Sequence, residues 1–134
     1  LYAELILLLV EREIHGVFSK ADDPRLRRLR QMFHDLWEEV DGDLARDWSV
    51  AEMAARLHLS PSHFHRLARR VTGLTPARLV SRLRMRRAES LLCSADYTVA
   101  QVAEMVGFRD PLAFSTAFKR HAGLSPRAFR KENA

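Results

Sequence analysis

Cysteine is all but absent from this chain. Cys93 is the only one in 134 residues, so neither an intramolecular disulfide nor a cysteine-based metal cluster can form within it. Long apolar runs are missing as well. The longest, Leu5 to Val10 (LILLLV), falls far short of the roughly 20 residues that span a bilayer, and no basic segment precedes it as an export signal would require. Neither export nor membrane insertion is indicated, and a reducing, cytoplasmic setting fits. Alternating apolar and polar runs and hairpin dipeptides are lacking too, which leaves an all-α fold class. Ser, His and Asp residues occur in no recognisable nucleophile setting. The nearest approach to a metal cluster is His58, His63 and His65. It fails on geometry, because residues two apart sit about 200° around a helix axis and no carboxylate joins them. The expectation is therefore a protein without enzymatic activity, cofactor or metal, in which His121 and Cys93 serve as packing residues.

What the chain does hold is positive charge, unevenly placed. Leu1 to Asp47 carries 7 Lys/Arg against 11 Asp/Glu, whereas Trp48 to Ala134 carries 15 against 6. The net +5 is thus an acidic segment followed by a strongly basic one. That excess is nearly all arginine, whose planar fork can donate two hydrogen bonds to one phosphate, so a polyanionic partner is expected. A merely solvated charged surface would show the same excess.

The basic segment is a duplication. Ser49-Val50-Ala51-Glu52-Met53-Ala54 returns as Thr98-Val99-Ala100-Gln101-Val102-Ala103, and Phe64 to Pro76 returns as Phe114 to Pro126. The first pair is offset by 49 positions and the second by 50, so one residue separates otherwise collinear copies. Each copy carries its own helix starts. Ser49-x-x-Glu52 and Thr98-x-x-Gln101 are capping boxes. Ser60-Pro61, Asp110-Pro111, Thr75-Pro76 and Ser125-Pro126 place a capping oxygen before a proline suited to the first helical position. Gly73 and Gly123 stand where a left-handed residue would end a helix. A helix, a tight turn and a second helix is the pattern of a helix-turn-helix unit. In the turn itself, Gly107 of the second copy is answered by His58 in the first, which predicts a left-handed or strained His58.

Apolar spacing separates core from surface. Val50, Met53, Ala54 and Leu57 fall at i, i+3, i+4 and i+7, as do Val99, Val102, Ala103 and Val106. On the following helices Phe64, Leu67, Ala68 and Val71 form one stripe, matched by Phe114, Ala117 and Phe118. Pointing outward are Ser62, His63, His65, Arg66, Arg69 and Arg70 in the first copy, and Leu112, Ala113, Ser115, Thr116, Lys119 and Arg120 in the second. Those outward faces are what DNA would meet. Between the copies, Ala77 to Ser94 reads as a rigid linking helix, apolar at Leu79, Leu83, Ala88, Leu91 and Leu92 and charged at Arg78, Arg82, Arg84, Arg86 and Arg87. About 16 helical residues and one helix diameter set the outward-facing helices near ~34 Å apart, one turn of B-DNA.

From Trp48 to Arg130 the chain resembles the DNA-binding domain of AraC/XylS-type transcription regulators. The resemblance is carried above all by Val99-Ala100-x-Val102-Ala103-x-x-x-Gly107-Phe108-x-Asp110-Pro111-x-x-Phe114-x-x-Ala117-Phe118-Lys119-Arg120-x-x-Gly123-Leu124-Ser125-Pro126. It implies seven helices, two helix-turn-helix units joined by a long helix, and binding to promoter DNA that recruits RNA polymerase and activates transcription. It places base-reading residues at Ser62, His65, Arg66 and Arg69 and at Leu112, Ala113, Ser115, Thr116 and Lys119. By side-chain chemistry the first unit is the sharper reader, since Arg66 can donate bidentately to guanine whereas Leu112 and Ala113 offer only apolar contact. Arg69, Arg70, Lys119 and Arg120, further along each helix, suit phosphates. Ala68, Leu79 and Ala122 stand where the family commonly has larger aromatic residues, so the first unit is expected to be loosely packed or filled by an N-terminal helix.

Pro24 to Val40, with Leu26, Leu29, Met32 or Phe33, Leu36 and Trp37 on one side, reads as a helix docked on the first unit. The expected plan is an apolar helix within residues 1–20, the tail of a missing sensor domain, then the first helix-turn-helix unit and linking helix over 24–94, and the second unit over 95–134. Dimerisation through the N-terminal helix or a sensor domain accompanies that plan, and a complete small regulator with a self-associating helix is the alternative. A helical protein-interaction module without DNA binding is the rival function. Salt separates the two, because phosphate contacts weaken steeply with ionic strength.

Overall fold

The computed structural model describes residues 24–133, and among them every regular element is a helix. In chain order these are α1 (Pro24–Gly42), α2 (Val50–Arg56), α3 (Pro61–Thr72), α4 (Pro76–Leu92), α5 (Val99–Met105), α6 (Pro111–Ala122) and α7 (Pro126–Asn133). The apolar helix expected within residues 1–20 lies outside the described residues. None of the described helices is long and apolar enough to cross a membrane. The chain divides into two compact units, one of residues 24–43 with Trp48–Val80 and one of Leu44–Asp47 with residues 81–133.

All six helix starts anticipated in the repeat are made by the oxygen expected of them. Ser49 accepts from Glu52 N–H at 3.1 Å, Ser60 from His63 N–H at 3.2 Å, and Thr75 from Arg78 N–H at 3.3 Å. Asp110 accepts from Leu112 N–H at 3.0 Å and Ser125 from Ala128 N–H at 3.2 Å. At Thr98 both halves of the capping box form, the hydroxyl accepting from Gln101 N–H and the Gln101 carbonyl oxygen from Thr98 N–H. Each such cap contributes about 1 kcal/mol by satisfying an N–H that the helix leaves open. Gly73 and Gly123 close α3 and α6 in the left-handed conformation, with φ of 77° and 79°.

In the first unit, α1 buries Phe33, Leu36, Trp37 and Val40. Of the pair Met32 and Phe33 it is Phe33 that turns inward, its ring 6.2 Å from that of Phe64 on α3. Met53, Ala54 and Leu57 of α2 and Phe64, Leu67, Ala68 and Val71 of α3 are buried as their spacing requires, as is Leu79 at the start of α4. Phe33 and Trp37 are among the largest fully buried side chains. They bring aromatic bulk into the same unit as the smaller Ala68 and Leu79. Arg56 ties α2 to α1 through a two-pronged pair with Glu39 (2.7 Å each) and lies over the Trp48 ring at 5.2 Å. The Glu39 carboxylate holds that guanidinium above its ordinary pKa.

The second unit has its own core of Met85, Ala88, Leu92, Val102, Ala103, Val106, Phe114 and Phe118, with Phe108 and Phe129 packed edge-on against Phe114 and Phe118. Two arginines hold backbone rather than face water. Arg84, which the sequence places among the outward charges of the linking helix, is half-buried and donates to Leu44 O at 2.8 Å and Arg46 O at 2.7 Å. Burial pushes its pKa down while Asp47 pulls it up, and it remains protonated wherever proteins fold. Arg130 donates to Leu92 O at 2.9 Å and to the carbonyls of Ser94 and Tyr97, securing the end of α4 and the bend that follows. His121 packs beside Phe118 and meets Glu89 at 3.1 Å, as a structural residue should. Cys93 does not pack: it is exposed, because it falls one residue past α4, where the helical stripe no longer directs it inward.

Candidate nucleic-acid interface

Each unit presents the second helix of its helix-turn-helix with one face buried and the other bare. Along α3, burial of Phe64, Leu67, Ala68 and Val71 fixes the rotation of the helix. Ser62, His63, Arg66, Arg69 and Arg70 are consequently exposed and His65 is half-buried. Ser60 and Pro61 start this helix immediately before the polar face, and Gly73 stops it three residues beyond Arg70. A shallow concavity of about 400 Å³ beside the start of α3 is lined by Val50, Pro61, Ser62, His65 and Arg66. It brings three of the six outward residues of this copy to one place, with apolar walls from Val50 and Pro61. Arg66, Arg69 and Arg70 form no ion pair with any described residue, so their charges are available to an incoming anion.

On α6 the buried residues are Phe114 and Phe118, with Ala117 half-buried. Leu112, Ala113, Thr116, Lys119 and Arg120 are exposed, and Ser115 is half-buried. Cations gather at the C-terminal end of the face, where Lys119 and Arg120 lie in the last turn and favour the negative pole of the helix. Its opening turn carries Leu112 and Ala113 instead. The two faces therefore differ in chemistry, polar and basic along α3, apolar then basic along α6.

The turns differ as well. His58 has φ 55° and Gly107 φ 96°, so the first copy holds in a histidine the left-handed step that the second gives to glycine, as the aligned positions predict. Arg109 is the residue that makes the second copy one longer, and it stands between the turn and the capping residue of α6. Asp110 caps the N–H two residues on, at Leu112, whereas Ser60 caps three residues on, at His63. The change of offset from 49 to 50 is the signal for this insertion. Nothing in the residue order marks Thr116 in the same way, yet its hydroxyl donates to Leu112 O at 3.0 Å and is drawn back onto its own helix. Among the described residues, no group of three or more His, Cys, Asp or Glu is placed to hold a metal ion.

Comparison with known proteins bears on this arrangement. A family model described as a helix-turn-helix domain matches residues 53–132. The HTH-type transcriptional activator RhaS of Yersinia pestis (strain Pestoides F) is 33% identical over 132 residues, 98% of this chain and 47% of that protein. The chain thus spans about half the length of this relative. Among solved structures, the DNA-binding domain of AdpA, a global transcriptional factor in complex with a target DNA, is 34% identical with a TM-score of 0.68. That likeness covers 73% of this chain and 88% of the other. A regulator with an AraC-type DNA-binding domain from Chromobacterium violaceum shares the fold, with a TM-score of 0.72 at 22% identity over 78% of this chain and 94% of its own.

Proposed function

The chain belongs to the AraC-type helix-turn-helix family, and from that premise we propose that it is a sequence-specific DNA-binding regulator of transcription that inserts α3 and α6 into successive major grooves of one duplex. The observation that carries this reading is the pair of exposed faces, each opposite a buried stripe and each bearing cations with no ion pair among the described residues. Arg66 is the leading base reader, with Ser62 and His65 beside it in the same concavity. A bidentate donor of this kind suits guanine O6 and N7 and discriminates by about 1–3 kcal/mol. His63, Arg69, Arg70, Lys119 and Arg120 serve phosphates and set register. Leu112, Ala113, Ser115 and Thr116 face the base edges of the second half-site.

The relative named as a transcriptional activator supports activation, with RNA polymerase as the protein partner. A role in regulation rather than catalysis, a cytoplasmic setting and a homodimer formed through the N-terminal segment or a sensor domain complete the proposal. So does the domain plan of residues 1–20, 24–94 and 95–134.

Selection of duplexes from a random-sequence library with this chain, followed by binding titrations at several salt concentrations, tests the reading. Binding should fall linearly on a log–log plot with salt, because each neutralised phosphate releases about 0.9 counterion. Arg66→Ala should weaken the selected duplex about tenfold or more while leaving random duplex within about twofold. A salt-insensitive interaction, or equal weakening on all sequences, would instead favour a helical protein-interaction module or a phosphate role for Arg66.

A further inference from the structure

Leu112 is 73% exposed, the most exposed large apolar side chain among the described residues. It sits at the second position of α6, on the face proposed to enter the groove. A single exposed leucine is ordinary on a protein surface; what sets this one apart is its position at the opening of the face and the chemistry of its neighbours. Its surroundings do not make up for its lack of hydrogen-bonding atoms. Ala113 is exposed and has none, Ser115 is half-buried, and Thr116 commits its hydroxyl hydrogen to Leu112 O at 3.0 Å. The corresponding stretch of α3 carries Ser62, His63, His65 and Arg66. The opening of α6 is therefore built for apolar contact, and the charge needed to hold it against DNA lies further along at Lys119 and Arg120.

We propose that α6 reads its half-site through the C5-methyl groups of pyrimidines, with Leu112 as the main contact, and that the second half-site consequently responds to methylation of cytosine. The inference rests on the reading of α6 as a groove-entering helix. In the major groove a thymine shows a methyl group beside its O4 acceptor, and a cytosine shows the N4 donor with no methyl. Uracil is thymine without that methyl, and 5-methylcytosine carries it at the same ring carbon. A reader that touches the methyl and donates nothing to O4 ranks thymine and 5-methylcytosine together, above uracil and cytosine. A hydrogen-bonding reader groups them the other way, thymine with uracil and cytosine with 5-methylcytosine.

The test uses the full chain and duplexes recovered by selection from a random-sequence library. Each pyrimidine under the second unit, located by footprinting, is exchanged in two matched pairs, thymine for uracil opposite adenine and 5-methylcytosine for cytosine opposite guanine. Loss of one contacted methyl should weaken binding about fourfold in both pairs, the factor that burial of one carbon of this size contributes. In Leu112→Ala the factor should shrink towards one, with the unfolding midpoint unchanged because the side chain is exposed. Leu112→Gln should likewise lose the methyl dependence, because its amide can donate to thymine O4 or accept from cytosine N4 but makes no use of the methyl group. Equal binding of methylated and unmethylated duplexes at every position would overturn the inference while leaving DNA binding intact, and so would a methyl dependence that survives in Leu112→Ala. Absence of any protected second half-site would overturn the groove reading of α6 and this inference with it.

Discussion

A methyl group added at Gly107 would meet Ala45 Cα, Leu44 O and Arg84 Cζ, each at 3.2 Å, on a backbone whose φ of 96° side-chain-bearing residues rarely adopt. Two of the three obstacles are backbone, so the neighbours cannot simply swing away. Gly107→Ala should lower stability by about 1–3 kcal/mol, read as an earlier urea midpoint in the second unit. At the matching position of the first unit the sign reverses. His58 already holds a left-handed backbone at φ 55° and is exposed, so His58→Gly removes strain without opening a cavity. Stability should rise by a few tenths of a kcal/mol to about 1 kcal/mol, the strain relieved exceeding the extra flexibility of the unfolded chain. A lowered urea midpoint for His58→Gly would show that the flexibility gained by the unfolded chain outweighs the strain relieved in the folded one. The histidine is foreseeable from the sequence because the repeat supplies a glycine to compare it with. The obstacles around Gly107 are not, since Leu44 and Ala45 lie more than 60 positions away and belong to no repeated motif.

Among the elements, α4 depends on a residue outside itself. Its last turn offers carbonyls that no further helix satisfies, and Arg130 of α7 donates to Leu92 O and, beyond the helix end, to Ser94 and Tyr97 O. Arg130→Met keeps much of the apolar stem and removes the donors, leaving partly buried carbonyls unpaired. A loss of about 1–3 kcal/mol is expected, read by thermal unfolding. By contrast, the Glu39–Arg56 pair joining α2 to α1 is partly exposed, at 45% and 29%. Glu39→Gln should cost no more than about 1 kcal/mol and less still at high salt. Helix boundaries are legible in the sequence because start and stop signals are local: an oxygen before Pro61 or Pro111, a glycine after Thr72 or Ala122. The burial stripes are legible for the same reason, since each depends only on spacing within one helix. Arg84 and Arg130 are not, because an arginine that holds a distant carbonyl and one that faces water look alike in sequence. The hydrophobic character of Cys93 suggests packing, while its position just past the end of α4 decides its exposure.

For the whole molecule, charge and reading are separable quantities. The segment from Trp48 onward carries 15 Lys/Arg against 6 Asp/Glu, and only part of that excess lies on the two exposed faces. Lys119→Ala with Arg120→Ala should reduce the slope of log affinity against log salt by about 2 and weaken all sequences alike. An unchanged slope would remove both residues from the phosphate contacts. The proposed site is legible as two sets of residues, 62–70 and 112–120, but not in its finer chemistry, since the retraction of the Thr116 hydroxyl depends on a rotamer. The marks that begin and end α3 and α6, namely Ser60, Asp110, Gly73 and Gly123, all lie outside those sets. Exchanging an exposed side chain between such marks typically shifts stability by less than about 0.5 kcal/mol. If α3 and α6 read DNA as proposed, the side chains that select the operator can be exchanged almost independently of foldedness, each helix being a cassette rewritten between fixed marks.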